Sequence, residues 1–148
     1  MAEQHIGGGP RINVLGVGIS PTHMAEAVAV IQAWIDGGKR HYVCVTPVHG
    51  VMECQGDEEL RRIHNASGLT VPDGMPLVWA GRLHGFSRMG RVFGPELMSE
   101  VCRTSVKRGY THFLYGGDVG MAEDLKRSLE KRFPEIKIVY NLSPIPAS

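Results

Sequence analysis

Cysteine is scarce in this chain and follows no pattern. Cys44, Cys54 and Cys102 are its three cysteines, widely spaced and with no C-x-x-C pair among them. An odd, dispersed set argues against a disulfide framework and against a thiolate metal site. It suits buried or free thiols in a reducing compartment. An excess of one charge is missing too: 16 basic residues against 15 acidic ones leave a net charge of +1. With no basic cluster to neutralise a phosphate backbone, no nucleic-acid partner is expected. No apolar run approaches the ~20 residues needed to span a bilayer. Residues 1–10 are polar and glycine-rich and lack the apolar core of a signal peptide. They are expected to form a flexible leader, and the chain to stay in the cytoplasm.

What is present suits one globular domain over residues 11–148. Hydrophobic content of 43% and charged content of 21% are ordinary for a soluble chain of 148 residues, a length that buries a sizeable core. Ile12 to Gly18 reads as a strand ending in a glycine turn. Ser20-Pro21-Thr22 reads as a helix start, with a hydroxyl cap and proline in the first turn. Met24, Ala27, Val28, Ile31 and Ile35 then repeat at helical spacing until Gly37-Gly38. Tyr42 to Val45 suits a buried strand, and Thr46-Pro47 opens a second helical segment. Asp57 caps a short helix with Leu60 and Ile63. Leu69 to Val71 is a strand, Pro76 to Leu83 a helix, and Gly94-Pro95-Glu96 starts another. His112 to Tyr115 is a strand. A helix follows with Val119, Ala122, Leu125 and Leu129 as its apolar face, then Ile136 to Tyr140 as the last strand and Asn141 to Ser148 as a tail. Strand–helix alternation predicts an α/β, Rossmann-like fold, a mostly parallel sheet with helices on both faces.

Ligands of such sheets sit beyond the carboxyl ends of the strands. Thr46, Asp73 and Gly116-Gly117-Asp118 all fall there. Each has a plain reading beside a chemical one. Thr46 could bond a ligand or cap the following helix. Asp73, between Pro72 and Gly74, could take a proton or cap the helix near Pro76; Val71, Met75, Leu77 and Trp79 would partly desolvate it. Gly116 and Gly117 would let backbone approach a diphosphate, or they form an ordinary turn with Asp118 as the helix cap. His49 is a proton shuttle or a structural histidine. Arg91 is a phosphate clamp or a solvated surface cation. Gly16-Val17-Gly18 lacks the third glycine of a dinucleotide fingerprint, because position 21 is Pro21. A tight turn is the better reading, and NAD binding is disfavoured.

Four segments together carry a resemblance. They are Thr46-Pro47-Val48-His49-Gly50-Val51-Met52, Val71-Pro72-Asp73-Gly74-Met75-Pro76-Leu77-Val78-Trp79, Arg91-Val92-Phe93-Gly94-Pro95-Glu96-Leu97-Met98 and Phe113-Leu114-Tyr115-Gly116-Gly117. In order and spacing they resemble the WecG/TagA/CpsF glycosyltransferase family. The resemblance implies an inverting enzyme that moves an N-acetylated amino sugar or related hexose from a UDP-sugar. The acceptor it implies is a sugar on a polyprenyl diphosphate, for teichoic acid, common antigen or exopolysaccharide synthesis. It implies no cofactor and no metal, and the metal-binding Asp-x-Asp motif is absent here as well. Asp73 falls on the family's proposed catalytic aspartate, Arg91 on a site arginine and Thr46 on a site threonine; Gly116 and Gly117 would lie near the nucleotide. Peripheral contact with the inner face of the plasma membrane and homo-oligomers are further implications.

Two departures qualify the resemblance. Pro47 stands where many members carry asparagine. The glycine-rich stretch and basic tail that usually follow the last strand are missing, so the chain reads as the N-terminal portion of such an enzyme. The alternative is a truncated, inactive nucleotide-sugar-binding domain.

Overall fold

The computed structural model describes residues 9–143. Most of the expected leader and the end of the expected tail therefore lie outside the described residues. The chain divides into two compact units, residues 1–97 and 98–148.

The first unit opens with strands β1 (Ile12–Val14) and β2 (Val17–Ile19), which pair antiparallel. Sequence reading takes this stretch as a single strand, and that is corrected here. Leu15 and Gly16 both have positive φ, 51° and 86°, as the two-residue hairpin turn that matches strand twist requires. The Asn13 side chain accepts the Gly16 amide at 2.7 Å and holds the turn. Ser20 does not cap a helix. Its amide donates to the Thr70 carbonyl at 2.8 Å, and its hydroxyl accepts the Thr70 amide at 2.9 Å. The residue thus splices the hairpin to a later strand. Helix α1 (Met24–Asp36) starts after His23 without a side-chain cap, and Gly37 ends it.

Strand β3 (Val43–Thr46) pairs parallel with β4 (Leu69–Pro72), in the register that sets Thr46 opposite Pro72. Helices α2 (Val48–Gly56) and α3 (Glu58–Ala66) connect them. Asp57 caps α3 as its sequence predicts, accepting the Leu60 amide at 2.9 Å. β3 is less buried than its apolar run suggests: Val45 is exposed. Only β4 pairs with it among the described residues, so β3 is an edge strand there rather than a central one. Helix α4 (Met75–Leu83) follows β4. The core of this unit joins Ile12, Val17 and Ile19 of the hairpin to Val51 and Cys54 of α2, Leu77 and Val78 of α4, and Met89.

Helix α5 (Gly94–Arg108) leads into the second unit. There β5 (Thr111–Tyr115) pairs parallel with β6 (Lys137–Leu142) across helix α6 (Met121–Arg132). Cys102, Leu129 and Ile136 are the buried core, packed against Val106, Leu114, Leu125, Phe133 and Ile138. The helix begins two residues later than its pattern suggests, so Val119 precedes it and is 72% exposed. β6 runs into the expected tail as far as Leu142. The fold is therefore α/β, with two parallel strand pairs bridged by helices and one antiparallel hairpin. All three thiols are free, and burial is the main cause that raises each above the ordinary cysteine pKa.

One titratable group ties the second unit to pH. His112 Nε2 lies 2.7 Å from Ser105 Oγ, whose hydroxyl donates to the Cys102 carbonyl. Burial lowers the His112 pKa below the ordinary histidine value. The unfolded chain therefore takes up the proton first, and stability falls as pH drops through and below that ordinary value. Above it the contribution is complete. Denaturant titrations of wild type and His112→Gln should diverge below about pH 6.5. The wild type should lose at most about 1.4 kcal/mol more per pH unit than the variant; parallel curves would show that His112 is not the linked group.

Candidate active site

The carboxyl ends of β3 and β4 converge on a small set of polar groups. The Asp73 amide donates to the Thr46 carbonyl at 3.0 Å, carrying the parallel ladder one step past β4. The Val92 amide donates to the Pro72 carbonyl at 2.8 Å and brings the 91–93 segment alongside. Three chain-distant residues, Thr46, Asp73 and Arg91, are positioned together by backbone bonds rather than by their side chains alone.

The Asp73 carboxylate does not cap α4. Gly74 occupies the cap position with no side-chain bond, and the carboxylate turns to Arg91 instead. Arg91 Nε and Nη2 reach Asp73 Oδ1 at 3.2 and 3.1 Å. The aspartate side chain is 18% exposed and the arginine 49%. Both bonds fall on one oxygen, which leaves Oδ2 to other partners. The guanidinium also lies over the Phe93 ring, 4.9 Å from its centroid, a geometry that favours a fixed cation. Arg91 is thus held on two sides rather than waving in solvent.

Thr46 is fully buried, and its Oγ1 has no hydrogen-bond partner among the described residues. It does not cap α2 either: Pro47 sits at that cap, without a side-chain bond. A buried hydroxyl without a partner is destabilising, and one in a folded chain asks for a reason. It stands beside two helix starts, α2 and α4, neither with a side-chain cap. Gly74 and the Val48 amide are neighbours, since a Cβ on Gly74 would lie 4.0 Å from Val48 N. Unsatisfied amides and the positive ends of two helix dipoles therefore meet next to Thr46 and Asp73, an environment that favours anions. Sequence reading placed anion binding at the Gly116-Gly117 turn and missed this pair. The signal was legible, because Pro47 and Gly74 stand where a capping side chain would otherwise be.

The other candidates have surroundings of their own. His49 is in the first turn of α2 with its side chain 80% exposed, and it pairs with Glu53 at 3.0 Å. Gly116, Gly117 and Asp118 belong to the second unit, in the turn after β5. Gly116 and Gly117 have φ of 122° and 74°, so the turn itself requires glycine. Asp118 does not cap α6; Gly120 does so, and Asp118 contributes its carbonyl to the Met121 amide at 3.0 Å. Among the described residues no three His, Cys, Asp or Glu side chains gather into a metal-sized group.

The unpartnered hydroxyl gives a test of its own. Thr46→Val removes a buried polar atom that has no bond to lose and keeps the shape. It should stabilise the chain by about 1 kcal/mol, read as a raised denaturant midpoint. A lowered midpoint would show that Oγ1 has a partner in solution.

A search of curated proteins finds no match. The model of the glycosyl transferase WecG/TagA/CpsF family matches residues 12–145, which include Thr46, Asp73, Arg91 and the Gly116–Asp118 turn. With a match over most of its length, the chain belongs to the WecG/TagA/CpsF family of glycosyl transferases.

Proposed function

We propose that the chain transfers an N-acetylhexosamine-type sugar, such as N-acetylmannosamine, from a UDP-sugar to a polyprenyl-diphosphate-linked sugar. The reaction inverts the anomeric carbon, needs no metal ion or other cofactor, and serves cell-wall or exopolysaccharide synthesis. The observation that carries this reading is the joint placement of Thr46, Asp73 and Arg91 beside two uncapped helix starts. A base, a cation and anion-friendly backbone are the three needs of such a transfer.

In the reaction, the acceptor hydroxyl attacks the anomeric carbon from the face opposite UDP. The new glycosidic bond forms as the bond to the UDP oxygen breaks, and the hydroxyl proton passes to Asp73. Negative charge then builds on the diphosphate. Arg91 and the amides at the starts of α2 and α4 stabilise it, taking the part that a metal plays elsewhere. The buried Thr46 hydroxyl gains its missing partner from a ligand oxygen. The resting Asp73–Arg91 pair must open for both groups to act, the half-exposed guanidinium exchanging the carboxylate for phosphate. His49, Gly116, Gly117 and Asp118 are assigned to substrate binding.

No helix among the described residues is long and apolar enough to cross a membrane. The lipid-linked acceptor is then met by peripheral contact with the cytoplasmic face of the bilayer, and assembly into homo-oligomers fits the same reading.

The test is UDP release from UDP-N-acetylmannosamine with a lipid-diphosphate-linked acceptor analogue. Asp73→Asn should lower kcat by about 10²–10⁴, with UDP affinity retained. Arg91→Lys should weaken both UDP binding and turnover, because lysine lacks the planar fork. Unchanged turnover in Asp73→Asn would remove the base from this account. UDP binding without any turnover in wild type would favour a nucleotide-sugar-binding domain instead.

A further inference from the structure

The first unit holds a cavity of about 430 Å³ bordered by Gly68 and Leu69, where β4 begins. Asp73 follows the other end of the same strand, so the cavity and the candidate active site lie about 13 Å of strand apart. The volume falls in the range of small-molecule pockets.

Its walls are flat and largely apolar. Trp34 and His41 stand side by side with ring centroids 4.4 Å apart and planes tilted by 36°. Pro10, Pro21, Val30 and Leu69 add to the apolar lining. Gly68 lets the two rings close over the backbone: a Cβ there would lie 2.6 Å from Trp34 Cη2 and 2.9 Å from His41 Cβ.

The polar feature is Arg11, which lines the cavity yet is only 7% exposed. Its Nη1 donates to the Gly18 carbonyl at 2.9 Å, to Thr70 Oγ1 at 3.0 Å and to the His64 carbonyl at 3.3 Å. Its Nη2 donates to the Ser67 carbonyl and, at 3.3 Å, to Ser67 Oγ. Every one of these acceptors is neutral. Among the described residues no carboxylate pairs with it. Buried charges are ordinarily paired with an opposite charge, because dipoles alone leave the ion's field uncompensated. Burial lowers the guanidinium pKa from its ordinary value, yet arginine stays charged across the physiological range. Glu26 also lines the cavity, but it is an exposed residue whose carboxylate accepts the Thr22 hydroxyl at 3.1 Å, and no ion pair joins it to Arg11.

We propose that this cavity binds a small organic anion with a flat apolar body, seated against Trp34 and His41 with its negative group toward Arg11. The role is independent of sugar transfer, since no residue of the cavity belongs to the Thr46, Asp73 and Arg91 cluster. A flat ring fills the apolar space, and a carboxylate supplies the charge that the fold leaves unbalanced.

The experiment uses the whole chain and two probes of one shape, indole-3-acetate and the neutral indole-3-acetamide. Calorimetry should give a dissociation constant of about 1 mM or tighter for the acid. The amide should bind about tenfold more weakly, because it carries no charge to attract the guanidinium. Val30→Trp places a large side chain in the cavity and should abolish acid binding while UDP affinity stays at the wild-type value. Arg11→Met tests the charge directly, and Val30→Trp keeps the test open should that variant fail to fold. Equal binding of acid and amide, binding that survives Val30→Trp, or no heat at 10-fold higher acid concentration (about 10 mM) would each overturn the proposal.

Discussion

The hydrogen bond from the Asp73 amide to the Thr46 carbonyl, 3.0 Å long, is the constraint on which the site depends. It extends the parallel register of β3 and β4 by one residue beyond the last paired positions, Thr46 and Pro72. A strand slipped by one residue would turn every side chain to the other face. Here that slip would take the carboxylate away from Arg91 and the hydroxyl away from the two helix starts. The register is in turn held by burial. Val71, Thr70 and Thr46 are fully buried, and Ser20 bonds both backbone groups of Thr70. Site geometry is therefore a consequence of how one short parallel pair is locked.

Two buried polar groups lack the partner that folding alone would give them. Thr46 Oγ1 has no bond, and Arg11 has bonds but no counter-charge. Both lie in the first unit, near opposite ends of β4. Local departures from full satisfaction are tolerated where a ligand completes them, and proteins concentrate such departures at functional positions. Elsewhere in the described residues the polar groups are ordinary. Asp57 caps a helix, Ser105 meets His112, and the surface ion pairs of α3, α5 and α6 join residues three or four apart in sequence.

Much of this was legible in the amino-acid sequence because local chemistry and tertiary context agree. The Asp57 cap, the Gly37 stop and the strand–helix alternation of an α/β fold follow from caps, glycines and apolar runs whose meaning does not depend on distant partners; the division into separate two-stranded sheets does not. Thr46, Asp73 and Arg91 each kept a plain reading from residue types alone, and the family resemblance is what grouped them. What sequence reading missed depends on non-local bonds. Ser20-Pro21-Thr22 has the composition of a helix start, but Thr70, fifty residues away, claims its hydroxyl. Ile12 to Gly18 reads as one strand because Leu15 is a poor candidate for positive φ, and the Asn13 side chain stabilises the turn there. The Asp73 partner was equally hidden. Apolar neighbours suggested desolvation, whereas Trp79 is exposed and a guanidinium faces the carboxylate.

The central claim is that Asp73 and Arg91 are held together at rest and part when the donor arrives. A structure determined with UDP bound tests this most directly. The account predicts phosphate oxygens within hydrogen-bond reach of Arg91 and of the first amides of α2 and α4, with the Asp73 carboxylate released and facing open space. UDP seated elsewhere, with the Asp73–Arg91 bonds still intact, would contradict it.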